Sequence, residues 1–220
     1  MGQVGSAKSD TKVNEEIVSK WRRLNPKEKV TYGSTIEEEK RSTIIAIGFS
    51  TFSSVFCTHL HRPLCNFLIQ MFNPDTSSIE LHGNVFQISA ADFGRVMGLK
   101  NTDEDVQLGG PIQDEHVREL VKIYCGNDKR ALVSDLAKKL EKCENANDDF
   151  KVRFMMLALG TLLYPTSSLS VSGNYLTPLR IPGKIESKNW ANHAFNLLRE
   201  GVRSFKKNKG AYVNGSLLSG

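Results

Sequence analysis

The chain has 220 residues, 40% hydrophobic and 24% charged, with a formal net charge of +5 and a pI near 9.0. That balance predicts one folded domain with a substantial core, and the mild basic excess is compatible with an anionic partner without requiring one. No stretch reaches the 18 or so apolar residues of a membrane-spanning helix, because Lys151 and Arg153 interrupt Phe150 to Tyr164, and the first thirty residues lack the apolar core of a secretory signal.

Residues 1–34 are polar, with Trp21 and Leu24 the large apolar side chains after Val18, and this predicts a disordered or loosely docked arm. Met1-Gly2-Gln3-Val4-Gly5-Ser6 fits the M-G-x-x-x-S acceptor of N-myristoylation at Gly2, with Lys8 and Lys12 following. A single myristoyl chain binds membranes marginally, and no cysteine near Gly2 supplies a second acyl group. The folded domain is expected over 35–220. It opens where Glu37-Glu38-Glu39-Lys40-Arg41 runs into Ile44, Ile45, Ile47 and Phe49, an acidic first turn that suits the helix dipole. Phe52, Val55 and Phe56 continue the apolar material, and Leu64, Phe67, Leu68, Met71 and Phe72 after Pro63 predict a helix that Asn73-Pro74-Asp75 breaks.

The stretch from Ser78 to Leu99 encodes a hairpin, a cap, a helix and a stop. A two-residue turn at Gly83-Asn84 would set Leu81 against Phe86 and Ile79 against Ile88, giving one buried face, with Glu80 and Gln87 on a wet one. Ser89 then reads as an N-cap with Asp92 three residues on, Phe93, Val96 and Met97 as the apolar stripe, and Gly98 as the left-handed stop followed by apolar Leu99.

Lys100 to Asp114 reads as a loop carrying Asp103, Glu104 and Asp105. Val117, Leu120, Val121 and Tyr124 mark an amphipathic helix ended by Gly126, and Leu136 and Leu140 mark another from Ser134. Phe150 to Leu163 is apolar nearly all round, which predicts the central helix of the domain, stopped at Pro165. Tyr175 to Pro182 reads as irregular. Trp190, Ala194, Leu197, Leu198 and Phe205 mark a long last helix running into Lys206-Lys207-Asn208-Lys209, and Tyr212 to Leu218 reads as the start of one more apolar helix. The expected fold is mainly α, a single helical domain with one small β-hairpin.

Chemistry is sparse. Cys57, His59, His61 and Cys65 are the candidate metal ligands, yet their spacing departs from the C-x2-4-C and H-x3-5-H pairs of structural zinc, and two buried thiols with two surface imidazoles is the plainer reading. The four cysteines, Cys57, Cys65, Cys125 and Cys143, read as reduced thiols. A thiol nucleophile would draw on Cys57 with His59, or on Cys125 with His116, nine residues apart and out of reach along one helix. Gly109-Gly110-Pro111 lacks the Gly-Lys-Ser/Thr ending of a phosphate loop, and Asp103 with Asp105, or Asp148 with Asp149, read as caps or solvated acids. No catalytic residue and no cofactor is predicted.

Arg180, Lys184, Lys188, Arg199, Arg203, Lys206, Lys207 and Lys209 outnumber Glu186 and Glu200 in the closing segment. Of these, Arg199, Arg203, Lys206, Lys207 and Lys209 are the candidate nucleic-acid contacts, set against a helix end whose dipole favours cations anyway.

From Gly48 to Leu218 the order of features resembles the aminotransferase-like plant mobile domain and the related domain found ahead of ubiquitin-like protease modules in transposon-derived plant proteins. The residues that carry the likeness are Leu64-Cys65-Asn66-Phe67-Leu68, Phe72-Asn73-Pro74, Ile79-Glu80-Leu81-His82-Gly83, Ile88-Ser89-Ala90-Ala91-Asp92-Phe93 and Val96-Met97-Gly98-Leu99. Phe154 to Pro165, an apolar run ending in Pro165-Thr166, and Asn189-Trp190-Ala191 add to it. The resemblance implies a protein of mobile-element ancestry in the nucleus or cytoplasm of a plant cell, acting as a non-catalytic interaction module toward a protein partner, with weak nucleic-acid association as its sharpest form. The rival expectation is an enzyme, a thiol hydrolase or a transferase, although no lysine stands in a pyridoxal phosphate context. Relative to that family the transposase or protease module is missing and the last helix reads as cut short at Gly220.

Overall fold

The computed structural model describes residues 38–53, 61–109, 114–166 and 168–207. The N-terminal arm with Gly2, the residues Val55, Phe56, Cys57 and His59, the Gly110-Pro111 pair, and the run from Lys209 through Leu218 lie outside the described residues. Within them the chain forms α1 (Glu38–Ala46), α2 (Arg62–Met71), β1 (Phe72–Asn73), β2 (Ser78–Leu81), β3 (Asn84–Gln87) and α3 (Ala90–Met97). It continues through α4 (Glu115–Cys125), β4 (Arg130–Leu132), α5 (Val133–Glu141), α6 (Asp148–Ala158), β5 (Ser170–Ser172), α7 (Leu176–Leu179) and α8 (Trp190–Lys207). The fold is mainly α, with small antiparallel sheets of order β1-β2-β3 and β4-β5.

The core gathers around α6, whose Phe150, Val152, Phe154, Met155, Met156, Leu157 and Ala158 are all buried. The unbroken apolar run Phe154 to Ala158 gains nothing from solvent, so neighbours must cover that part of the helix on several sides. They do: Phe49 meets Phe154 edge-on at 5.9 Å between ring centroids, and Leu136 of α5 and Leu176 and Leu179 of α7 are buried with them. The helix does not run regularly to Pro165. It widens into a π turn over Leu159–Leu163, where Gly160 lies against Val133 and Val171. The segment expected to be irregular after Tyr175 carries α7, and its buried Tyr175, Leu176 and Leu179 belong to the core.

The cap and stop around α3 form as the sequence dictates. Ser89 Oγ accepts from the Asp92 amide at 3.1 Å while the Asp92 carboxylate accepts from the Ser89 amide at 3.1 Å, and Gly98 sits at φ 65°. The carboxyl of Asp92 is held below its ordinary range chiefly by its side-chain hydrogen bond from Ser89. Gly94 lets α3 approach α8 closely: a Cβ built there would stand 2.7 Å from Ala191 Cβ and 2.9 Å from the Leu99 carbonyl oxygen.

The hairpin departs from the expected register. Its turn is His82-Gly83, with φ of 52° and 78°, so Ile79 opposes Phe86, Glu80 opposes Val85 and Leu81 opposes Asn84. Both central residues of such a turn need positive φ, and glycine serves best as the second of them, which moves the turn one residue earlier than a Gly-Asn reading. Histidine is among the residues that tolerate the first position. The helix before the sheet also stops a residue early, because Phe72 turns extended and pairs with Ile79 as β1, ahead of the Asn73-Pro74 step that disfavours helix. The expected division into one buried and one wet face fails at β3, all four of whose residues are exposed.

Candidate functional site

The feature that sets this molecule apart is α2. His61 caps it, Nδ1 accepting from the Leu64 amide at 3.2 Å, and Pro63 occupies its first turn, where a missing N–H costs nothing. Its apolar residues fall at helical spacing, yet none of its ten residues is buried. Leu68 and Ile69 are half-buried, Ile69 against the core, whereas Leu64, Phe67 and Met71 retain 51%, 48% and 38% of their surface. In β3, Val85 and Phe86 retain 61% and 54%. Single exposed apolar residues are ordinary; three along one helix mark a face that is suited to a protein surface, and Val85, which points to the opposite side of β3 from Phe86, stands beside Met71 at its end.

Met71 and Val85 share the wall of a groove of about 500 Å³, which Asn73, Asp75, Ser78, Glu80, Arg203 and Lys206 complete. Here the structure locates the basic residues singled out in the sequence. Arg199 Nε donates to the Pro74 carbonyl at 2.8 Å, and Arg203 donates to Asp75 Oδ1 through Nε at 3.1 Å and Nη2 at 2.7 Å. A further Arg203 nitrogen reaches Glu200. Lys206 Nζ donates to the carbonyls of Gln70 and Phe72 at 2.9 and 2.8 Å. Hydrogen bonds to Asp75 and Glu200 raise the pKa of the Arg203 guanidinium. These three cations therefore fasten the last turns of α8 to the end of α2 and to the β1–β2 turn. Lys207 is exposed at the end of α8.

At the other end of α8 a second polar seam explains the Asn189-Trp190-Ala191 motif. Asn189 Oδ1 accepts from the Asn192 amide at 2.9 Å, its backbone N–H donates to the Glu104 carbonyl at 2.7 Å, and its side-chain amide reaches the Thr102 carbonyl. Trp190 is 1% exposed and donates from Nε1 to the Ile185 carbonyl at 2.8 Å. Glu104 pairs with Lys188 and accepts from Ser187, which together hold its carboxyl below the ordinary range. Asp105 accepts from the Asn192 side chain at 3.3 Å. The loop acids thus clamp the start of α8, and periodicity alone gave no signal of that partnership.

Two groupings bear on thiol and acid-base chemistry. Tyr124 donates to Asp149 Oδ1 at 2.9 Å, Arg153 donates to Asp149 Oδ2 at 2.7 Å, and the Cys143 thiol lies 3.8 Å from that oxygen. Burial alone would raise the Asp149 pKa, but the hydrogen bonds from Arg153 and Tyr124 prevail and hold it low. Burial, with help from the Asp149 charge, pushes Cys143 up, and burial pushes Cys125 up to about 11. Both thiols are therefore protonated at neutral pH, the opposite of what a nucleophilic cysteine needs. Deeper in, the His193 ring stands edge-on to Tyr175 and Trp190, its Nε2 is 3.2 Å from the Tyr175 hydroxyl, and burial lowers its pKa.

Among the candidate metal ligands, His61 spends Nδ1 on the α2 cap and Cys65 is half-buried one turn further on. Among the described residues no three of His, Cys, Asp and Glu are grouped so as to hold an ion, and no helix is long and apolar enough to cross a membrane. His116 Nε2 faces the Arg180 carbonyl at 3.4 Å rather than Cys125.

A family model described as a domain of unknown function, DUF8566, matches residues 22–219. The chain belongs to that family. The match takes in α1 through α8, so the exposed helix, the three-stranded sheet and both seams along α8 are all parts of the family's domain. Comparison with curated proteins and with solved structures gives no match.

Proposed function

We propose that this domain is a non-catalytic interaction module that docks a protein partner on the outward side of α2, with Val85 of β3 beside its Met71 end. The observation that carries the reading is a helix with a clear apolar stripe and no buried residue, held in place by polar contacts at its C-terminal end. The partner this surface suits presents apolar side chains to Leu64, Phe67 and Met71 beside a strand whose own side chains, Asn84 to Gln87, carry no charge. The plant mobile-element ancestry and a nuclear or cytoplasmic setting belong to the same proposal. They are supported by the sequence likeness, whose Asn-Trp-Ala and capped-helix residues are those that anchor α8 and α3.

The test is affinity capture from plant nuclear and cytosolic extracts with the wild-type chain, Phe67→Asp, and Ile123→Asp as a surface control on α4. Partners retained by wild type and the control but lost with Phe67→Asp support the reading; identical recoveries from all three reject it. Retardation of duplex DNA in the same preparations, falling steeply with salt, would support the companion reading of weak nucleic-acid contact through Lys207 and its neighbours.

A further inference from the structure

We propose that β3 pairs with the β3 of a second copy of this chain, antiparallel and centred on Phe86, so that two three-stranded sheets become one. The pairing does not rest on the reading of α2 as a docking face.

The register of the hairpin decides which backbone groups the edge offers. Beside a two-residue turn the flanking residues exchange both of their hydrogen bonds, and the pattern then alternates along the ladder. Here the flanking pair is Leu81 with Asn84, so Phe86 bonds inward to Ile79, and Ile88 donates to the Ser77 carbonyl at 2.8 Å in the same phase. The N–H and C=O of Val85 and Gln87 therefore point away from β2, along the outer edge of the sheet, and no described backbone group bonds them.

Sheet edges in monomers are commonly kept short, or are broken by charge, proline or a bulge. The opposite edge obeys this, since β1 is two residues long and runs into Pro74. The β3 edge does not. It pairs with β2 without a bulge over Asn84-Val85-Phe86-Gln87, none of them charged, and all of them are exposed in the whole chain.

The side chains say what fits beside it. Phe72, Ile79 and Phe86 stand directly opposite one another across the three strands, and Phe72 and Ile79 pack into the core. Exposure climbs along this row from 6% at Phe72 to 54% at Phe86, so the row stops at the edge unfinished. A two-fold axis through Phe86 finishes it. Phe86 then meets the partner's Phe86 as a non-hydrogen-bonded pair, the closer of the two kinds, where aromatic side chains stabilise each other. In that register Val85 faces the partner's Gln87 and Gln87 faces the partner's Val85, which uses every outward N–H and C=O of both strands. A strand pairing with its own image repels itself if it carries charge, and β3 carries none. So short an edge covers well under the roughly 1,200 Å² of a lasting interface, which makes the dimer a weak one, populated at about 100 μM and above.

The test is sedimentation velocity of the full chain over a roughly hundredfold range of concentration around that value. Wild type should pass from monomer toward dimer. Gln87→Pro removes an outward N–H and no hairpin bond, so it should leave the melting temperature within a few degrees and weaken association about tenfold or more. Phe86→Cys sets two thiols across the axis with Cα atoms about 4.5 Å apart, within disulfide range, so mild oxidation should link it into a covalent dimer. Val85→Cys, whose image lies two positions along the strand, and wild type, with its native cysteines, should not link. A chain that stays monomeric throughout overturns the proposal. So does a dimer that forms without a Phe86→Cys link, since the contact is then elsewhere, and so does a monomer whose partner capture is lost with Gln87→Pro, since the edge then takes a foreign strand. The link decides the matter if Gln87→Pro does not fold. Phe67→Asp should dimerise as wild type does, so loss of the docking reading leaves the pairing standing, and the reverse.

Discussion

Helices α2 and α6 are both rich in apolar residues, and they end in opposite circumstances. Helix α6 mixes Asp148, Asp149, Lys151 and Arg153 among its apolar residues, and seven of its eleven residues are buried. Helix α2 sorts its residues more cleanly into two sides and buries none of ten. Amphipathic order therefore records that a helix has a face to cover, without recording what covers it. In α6 the cover is the rest of the fold. In α2 part of it is the body, through Ile69, and the opposite side faces outward.

The contrast breaks most decisively if truncation costs the same in both helices. Phe154→Ala should lower stability by about 3–5 kcal/mol, as a large aromatic lost from a packed core does, whereas Phe67→Ala should stay within about 0.5 kcal/mol. Urea denaturation of the two variants measures the difference directly. Next in size is Gly94→Ala, which drives a methyl against Ala191 and the Leu99 carbonyl and should cost about 1–3 kcal/mol by overpacking.

Acid should separate the core from the α2 lobe more gently. Burial holds the His193 imidazole below its ordinary 6.5, so the unfolded chain takes up a proton first. The contribution of this histidine is complete above pH 6.5 and declines as pH falls from there toward the lowered value in the folded state. Denaturation midpoints between pH 7.5 and 5 should fall, and His193→Gln should flatten that dependence. The smallest global effect belongs to the seam at the end of α8. Arg199→Ala/Arg203→Ala/Lys206→Ala should leave the melting temperature within a few degrees, while exchange in the peptide covering 70–78 accelerates. A melting shift as large as that of Phe154→Ala would mean that the seam, and not the apolar core, holds the molecule together.

Much of this body was legible in the residues themselves. The capping box at Ser89 and the stop at Gly98 are local, since each needs only neighbours three or four positions away, and both form as read. The burial of α6 was legible because the run from Phe154 to Ala158 is apolar without a break and so needs cover on several sides. What the sequence withheld was long-range. Nothing near Arg203 says that its partner is Asp75, 128 residues away, and a basic helix end looks the same whether it meets phosphate or a turn of its own chain. The slip of the hairpin turn has a local cause: the reading gave Gly83 the first central position, and the backbone gave that position to His82. The exposure of Leu64, Phe67 and Met71 was invisible for the complementary reason, because periodicity counts faces and not neighbours.

The close approach of Gly94 to Ala191 constrains how related sequences can drift. A larger residue at either site would have to be preceded by a smaller one at the other, and Gly94 has nothing left to give up. Ala191 can shrink only to glycine, which costs a helix about 0.5–1 kcal/mol. The pair is thus a one-way gate: lineages that keep these two helices in contact should hold glycine facing alanine, and any that have lost the glycine should reveal it by a wider gap and a bulkier filling beside Leu99.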